Sequence, residues 1–352
     1  MVDESDGYIH SIKTNKDTLH DGKTVYRLIL ELMFAPLSLR ASVSTQFHTL
    51  AYSSPRSSRQ QVEDNENGKN CDIWFFTREY APNRTIHPSE LLSHQHNHGV
   101  DNTGNVRVWP SEEILLSFLL QSFEKEEEEE EERMVLSSLL NRLTHQSFRL
   151  LELGAGMTGL VGLGLGLKGY CDCVLLTDGN EDCVRNLEVC VAMNELQFGT
   201  QKGEKTNEGS RIKTRLLRWN DSEQQIRDTL CAFESLNCNS LFDVIIVSDC
   251  LFFEAFHLDL IRLLLLLLIP PSSSSPSLNT DKPLSPCAML LQPERGGSLT
   301  RFLILLEKEA PCLSFSLFDS FSSEVDTYFA PYEHDTHFIE THKPKLLIIQ
   351  PK

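Results

Sequence analysis

Apolar and polar residues follow two different patterns along the second half of the chain. Seven short segments after residue 147 are apolar over most of their length, as expected for strands covered on both faces. Between them, apolar residues recur every three or four positions, which is typical of amphipathic helices. This alternation predicts a parallel sheet with crossover helices. The predicted strands are 148–153, 174–178, 212–219, 242–248, 288–292, 313–318 and 346–350, and the predicted helices are 158–167, 181–194, 223–234, 255–268 and 299–309.

The first hundred residues lack this alternation. Short strand-like pieces at 25–33 and 73–76 are separated by stretches rich in Ser, Asn and His, which are typical of flexible loops. An apolar-periodic helix is predicted at 114–123. We therefore predict an α/β fold: a Rossmann-like, seven-stranded, mostly parallel sheet with helices on both faces, spanning residues 106–352. An irregular, partly β N-terminal extension, residues 1–105, precedes it.

Two segments of the main domain are predicted to be insertions. Residues 124–133 consist of eight glutamates, one lysine and one arginine, a composition that favours solvent over a core. Residues 270–286 are rich in Pro and Ser and follow a predicted helix, which indicates a surface loop.

The chain carries a formal net charge of −18. Nucleic-acid binding requires clustered Lys and Arg to neutralise phosphates, so we do not expect a nucleic-acid partner. The most apolar run, 263–269, is much shorter than the roughly 20 residues that span a membrane. No signal peptide is recognisable and the ten cysteines form no CxxC pair, which favours reduced thiols in the cytoplasm or the nucleus. We expect a monomer that does not bind membranes.

A glycine-rich turn, 151–159, lies where the first strand of the main domain gives way to a helix. Gly154 and Gly156 have no Cβ, so a ligand can pack against the main chain beside the positive end of a helix, next to Ala155. Together with Gly159 they also satisfy GxGxxG, the dinucleotide motif. The glycines alone therefore do not separate a nicotinamide cofactor from S-adenosylmethionine.

Five further residues extend this candidate site. Asp178 ends the second strand, where a carboxylate can accept both hydroxyls of a ribose; the alternative is a helix cap before Glu181. Glu152 precedes the first glycine and forms an E-x-G-x-G turn, which is common in S-adenosylmethionine enzymes. Trp219 ends the third strand and can stack on an adenine; the less favoured alternative is a core residue. Ser248 and Asp249 stand at the end of the fourth strand.

These residues lie in segments that resemble the calmodulin-lysine N-methyltransferases, within the wider seven-stranded lysine methyltransferase family. The resemblance covers about residues 101–310 and is strongest in DNTGNVRVWPSEE (101–113), LLTDGN (175–180) and SDCLFF (248–253). It implies S-adenosyl-L-methionine as methyl donor, a lysine ε-amine as acceptor, and calmodulin as the protein substrate.

The resemblance also implies roles for individual residues. Asp249 and Phe252 would border the lysine channel. Related enzymes have Asp-x-x-Tyr there, and Phe252 lacks the hydroxyl that would orient an amine. The residues expected to contact the cofactor are Trp109, Gly154, Gly156, Asp178, Trp219 and Ser248, to which we add Glu152 and Ala155 from the glycine turn.

Two other functions remain open on the sequence: an NAD-dependent oxidoreductase, and a catalytically silent scaffold that keeps the fold as an interaction module. We expect no metal site, because His94, His96 and His98 lie in a polar segment without nearby cysteines. An acidic substrate would require a basic surface. Candidates are Arg211, Lys213, Arg215, Arg218, Arg295 and Arg301, which can equally be solvated surface residues.

Overall fold

The computed structural model describes eleven stretches of the chain: 9–18, 24–32, 40–44, 47–52, 71–75, 109–124, 134–202, 211–231, 242–252, 254–269 and 285–352. The triad of histidines at 94–98 and most of the two predicted insertions, residues 125–133 and 270–284, lie outside these stretches.

Five strands near the N-terminus form an antiparallel sheet in chain order. The strand content of this extension is higher than the sequence indicated, since only the second and fifth strands overlap predicted ones. The strands are β1 (Ile9–Thr18), β2 (Thr24–Leu32), β3 (Arg40–Ser44), β4 (Phe47–Tyr52) and β5 (Cys71–Phe75).

The main sheet has seven strands, as predicted, in the order β11-β12-β10-β9-β6-β7-β8. β12 runs antiparallel to both of its neighbours, and the other pairs are parallel. The Rossmann-like, mostly parallel α/β fold is therefore confirmed. The strands are β6 (Phe148–Leu153), β7 (Cys171–Asp178), β8 (Ile212–Leu216), β9 (Val244–Ser248), β10 (Cys287–Pro293), β11 (Leu313–Phe318) and β12 (Pro344–Pro351).

Helices connect these strands. Three of the helices, α2, α8 and α9, were not predicted from the sequence. The helices are α1 (Pro110–Glu124), α2 (Met134–His145), α3 (Leu160–Lys168), α4 (Glu181–Lys202), α5 (Glu223–Leu230), α6 (His257–Leu268), α7 (Ser298–Glu309), α8 (Ser323–Phe329) and α9 (Thr336–His342). Among the described residues, no helix has both the length and the hydropathy needed to cross a membrane.

A hydrophobic core lies on each face of the main sheet. Leu150 and Val174 belong to the cluster beneath α1, α2 and α3, whereas their neighbours Leu151 and Leu175 belong to the cluster beneath α6 and α7. Adjacent residues of a strand point to opposite faces, so a strand covered on both sides must be apolar throughout. This explains the continuous apolar runs in the sequence.

The order of the strands places a crevice between β6 and β9. From β6 the chain moves outward through β7 and β8, and then returns to form β9 on the other side of β6. In open α/β sheets, ligands bind outside the carboxyl ends of the strands at such a switch point. The glycine turn after β6 and the Ser248–Asp249 pair after β9 both lie at this edge.

Candidate functional site

The glycine turn joins β6 to α3 through left-handed backbone conformations. The φ angles of Gly154, Gly156 and Gly159 are 64°, 60° and 54°, a region that residues with a Cβ seldom adopt. Space is also limited, because a Cβ atom added to Gly154 would lie 2.7 Å from Cys250 Sγ. The backbone N–H of Ala155 donates to the carbonyl of Thr177 (2.9 Å), which ties the turn to β7.

Asp178 joins this turn through its side chain. Its carboxylate is 8% exposed and accepts hydrogen bonds from the backbone N–H groups of Gly156 (2.9 Å) and Asn180 (2.8 Å). The bond from Asn180 closes a turn just before α4, and the side chain that caps this helix is that of Asn180, whose Oδ1 accepts the backbone N–H of Asp182 (2.9 Å). The bond from Gly156 places the acid directly beside the glycine turn. Its expected contact with a ribose stays a prediction.

Glu152 supports the turn from the protein side. Its side chain is 1% exposed, and one oxygen accepts the backbone N–H of Gly162 in α3 at 2.7 Å. Its second oxygen, Oε1, is buried and has no hydrogen-bond partner among the described residues. Burial raises the pKa of Glu152 to about 8, and the nearby charge of Glu112 adds to this effect.

Glu112 is a buried acid that the sequence analysis did not single out. It accepts hydrogen bonds from the Thr158 hydroxyl (3.0 Å) and from the backbone N–H of Trp109 (3.4 Å), and so links α1 to the glycine turn. Burial raises its pKa to about 7, and the charge of Asp249 contributes to a smaller extent. The signal in the sequence was an acid in the first turn of a mostly apolar helix.

Trp219 lies near Gly154, just beyond the end of β8, because this strand ends at Leu216 and not at residue 219 as predicted. Its Cζ2 atom would lie 3.4 Å from a Cβ added to Gly154, and its ring packs edge-on against Phe256 with centroids 6.4 Å apart. The side chain is half-buried. The structure thus brings this predicted site residue to the glycine turn, and its role against an adenine stays a prediction.

The end of β9 contributes a buried hydroxyl and a buried acid. The Oγ atom of Ser248 is buried and has no hydrogen-bond partner among the residues that the structure describes. Asp249 has a positive φ of 53°, and its side chain is 3% exposed. Its two oxygens contact Arg295 Nη2 (2.5 Å) and Gln292 Nε2 (3.2 Å), both from the β10 side of the crevice.

Arg295 connects the remaining predicted site residues. Its guanidinium carbon lies 5.5 Å from the ring centroid of Trp109 and 5.8 Å from that of Phe252. Trp109, expected at the cofactor, is therefore placed against the same cation as the two channel residues. Phe252 is 52% exposed, so much of its ring faces solvent.

Two of the predicted basic surface residues are paired with acids. Arg218 lies 3.5 Å from Glu181, and Arg301 lies 2.6 Å from Glu254. Arg211 and Arg215 are exposed at the edge strand β8. In the described part of the chain, no group of three or more His, Cys, Asp or Glu side chains is arranged to hold a metal ion.

Residues 89–275 match the family model for lysine methyltransferases. The chain belongs to the lysine methyltransferase family. A calmodulin-lysine N-methyltransferase from Arabidopsis thaliana is 29% identical over 228 residues, which cover 64% of this chain and 57% of that relative. The chain thus spans little more than half the length of this relative.

Solved structures of methyltransferases also resemble the fold. The human methyltransferase 10 domain containing protein has a TM-score of 0.36 and 10% identity, covering 70% of this chain and 84% of that chain. The METTL16 methyltransferase domain has a TM-score of 0.40 and 12% identity, covering 70% of each chain.

Family membership confirms the resemblance to the lysine methyltransferases seen in the sequence. The donor that this resemblance implies is S-adenosylmethionine. The crevice fits such a donor in three respects. Two residues of its turn, Gly154 and Gly156, carry no side chain, the acid Asp178 lies beside the turn, and the buried Ser248 hydroxyl has no protein partner among the described residues.

Proposed function

We propose that this protein transfers methyl groups from S-adenosylmethionine to a lysine ε-amine of a protein substrate, and that calmodulin is this substrate. The observation that carries the first part is the hydrogen bond from Gly156 to Asp178, which joins the glycine turn and the acid into one unit at the switch point of the sheet. Support for calmodulin comes from the similarity to the Arabidopsis calmodulin-lysine N-methyltransferase.

Both backbone and side-chain groups would bind the donor. The main chain of Gly154, Ala155 and Gly156 would pack against it, and Asp178 would accept hydrogen bonds from the ribose hydroxyls. Trp219 would stack on the adenine. Ser248 and Trp109 would contact the donor from the β9 and α1 sides. Glu152 would act through the turn that it supports, and not by direct contact.

The chemistry requires an unprotonated amine in line with the donor. The bound donor supplies an electrophilic methyl group on a sulfonium. The protein must align the amine, and alignment alone can contribute as much as about 7–11 kcal/mol in well-oriented systems. A free lysine has a pKa of about 10.4, so the acceptor must also lose its proton. Phe252 would provide an apolar wall that disfavours the ammonium form, and Asp249 would orient the acceptor.

Calmodulin is itself strongly acidic, so the charge of this protein affects its binding to calmodulin. The chain has a net charge of −18, and an acidic substrate would be repelled at long range. The exposed residues Arg211, just before β8, and Arg215, on β8, would offer a local basic surface that offsets this repulsion. We further expect a monomer in the cytoplasm, with the nucleus as a second compartment.

Two measurements test the proposal. Calorimetry with S-adenosylhomocysteine should show binding, whereas NAD should show none; a folded protein that binds neither donor nor product would falsify it. Mass spectrometry of calmodulin after incubation with the protein and S-adenosylmethionine should show added methyl groups on lysine. Product binding without methylation of calmodulin or of other acidic proteins would instead favour the catalytically silent scaffold.

A further inference from the structure

The two partners of the Asp249–Arg295 ion pair share an unusual backbone. Among the described residues, they are the two non-glycine residues with positive φ, at 53° and 42°. Such conformations are unfavourable for residues with a Cβ, persist where the surrounding structure fixes them, and cluster at functional sites. Both of these residues belong to one ion pair. This indicates that the surrounding structure holds the pair in place for a functional role and not only to turn the chain.

Backbone hydrogen bonds fix both partners. The N–H of Asp249 donates to the carbonyl of Leu291 in β10 (3.0 Å), and the N–H of Arg295 donates to the carbonyl of Glu340 in α9 (2.8 Å). Gln292 Nε2 donates to the second oxygen of Asp249. The pair therefore bridges the ends of β9 and β10 in one defined geometry.

The guanidinium of Arg295 lies at the mouth of the proposed acceptor channel. It is within cation–π distance of both Trp109 and Phe252 and forms the ion pair with Asp249 on a third side. The cation thus lies directly against Asp249, whose carboxylate would otherwise attract an incoming ammonium group.

We propose that Arg295 is a positioning residue that cancels the charge of Asp249 at the mouth of the acceptor channel, so that the entering lysine is not held there as an ammonium ion. This inference rests on the proposed function. A lone carboxylate near an amine favours the protonated form and removes the nucleophile. A guanidinium stays charged at every working pH, so it neutralises the carboxylate permanently.

Other charged groups around Asp249 must be separated from this effect. The charge of Asp249 contributes to the raised pKa of Glu112 in α1, and Glu152 is buried next to the glycine turn. On the β10 side, Glu294 lies 3.8 Å from Lys345, and Glu340 contacts Arg295 through its backbone carbonyl. Beyond Phe252, Glu254 pairs with Arg301. A variant of Arg295 leaves all of these side chains in place.

The test compares the pH profile of kcat for calmodulin methylation among four proteins: wild type, Arg295→Gln, Arg295→Lys and the double variant Asp249→Asn/Arg295→Gln. In Arg295→Gln, the unpaired carboxylate should move the acid limb upward by on the order of one pH unit. Arg295→Lys keeps the charge and should keep the wild-type limb. The double variant should return the limb to its wild-type position, whatever its rate, because neither charge remains.

Two outcomes overturn the proposal. A loss of rate in Arg295→Gln that is equal at every pH means that Arg295 has only a structural role. A lower KM for calmodulin in Arg295→Gln, with the acid limb of the pH profile unchanged, means that Arg295 only blocks the channel until the substrate displaces it. Asn is a suitable replacement at position 249 because it is among the residues that tolerate a positive φ best. Thermal unfolding checks that each variant is folded.

A second readout needs no acceptor protein. S-adenosylmethionine carries a positive sulfonium and S-adenosylhomocysteine does not, so an uncompensated Asp249 should favour the donor over the product. The ratio of the two dissociation constants in Arg295→Gln should shift several-fold towards the donor, and the double variant should restore it. If calmodulin accepts no methyl groups, this ratio decides, and an unchanged ratio overturns the proposal. A wild-type protein that binds neither molecule overturns the proposed function and this inference together.

Discussion

Gly156 donates its backbone N–H to the carboxylate of Asp178 across 2.9 Å, although 22 residues separate the two along the chain. The bond joins the turn after β6 to the end of β7. A donor molecule that packs against the turn therefore meets the acid at a fixed position, and the predictions below test what each part of this unit contributes.

Replacing Asp178 by Asn should weaken the binding of S-adenosylhomocysteine by roughly 10- to 100-fold, because hydrogen bonds to a charged acceptor contribute about 1.5–3 kcal/mol. Calorimetry measures the change. The control is Asp172→Asn, since Asp172 is an exposed acid on the same strand that accepts a hydrogen bond from Ser147. Equal affinities for the two variants would remove Asp178 from the binding site.

Replacing Gly154 by Ala should abolish measurable cofactor binding, because the new Cβ would meet Cys250 Sγ in a backbone conformation with positive φ. Gly169→Ala is a matched control: its φ is 81°, and nothing lies within 4 Å of the added Cβ. Both variants should lose about 1–2 kcal/mol of unfolding free energy from backbone strain. Only Gly154→Ala should lose the cofactor, and intact binding in that variant contradicts the proposed contact.

The buried acid Glu152 should make the folded protein less stable as pH rises. Its pKa is raised from 4.5 to about 8, so between these values the folded state holds a proton that the unfolded state has lost. The unfolding free energy then falls with increasing pH, by on the order of a few kcal/mol in total. Glu112, with a pKa of about 7, adds a fall in the lower part of this range.

Glu152→Gln should flatten this decline and raise the unfolding free energy at pH 8 relative to wild type. Urea unfolding at pH 5, 6.5 and 8 measures the effect. Glu188→Gln, on the exposed face of α4, serves as the control and should leave the profile unchanged. A wild-type profile that is flat from pH 5 to pH 8 would show that Glu152 is not protonated in the folded protein.

Phe252→Ala should reduce kcat/KM for the protein substrate by roughly 2- to 10-fold, since an aromatic contact contributes about 0.5–1.5 kcal/mol beyond burial of its area. The ring is half-exposed, so stability and product affinity should change little. Ile304→Ala, which truncates an apolar side chain of α7 that is 62% exposed, is the control for loss of surface area. Similar kinetic constants for wild type and Phe252→Ala would place the acceptor elsewhere.

Local patterns in the sequence predicted the central sheet and its glycine turn. The bounds of β6 and β11 match the predicted strands residue for residue, and the other five strands overlap theirs. Apolar runs reveal such strands because both faces of the sheet are covered. The glycines and Asp178 were predicted as site residues because a dinucleotide-like ligand at this edge would need a bare backbone and an acid at the ends of consecutive strands.

The short helices α8 and α9 and the strands β1, β3 and β4 were not predicted. The two helices have seven residues each, and helices of this length form in proteins through packing more than through their own propensity. Their stability therefore depends on neighbours that are distant in the sequence. A pattern within the segment itself carries little of that information.

The sequence by itself determined the class of fold, the cofactor edge and the family, because periodicity and glycine placement are local properties of the chain. Only the tertiary structure decided which charges meet. Glu112 contacts Thr158, and Asp249 contacts Arg295, each across 46 residues. These pairings depend on how the chain closes loops around the sheet, and no spacing rule in the sequence specifies them. The charge at the mouth of the crevice is therefore a property of the folded protein.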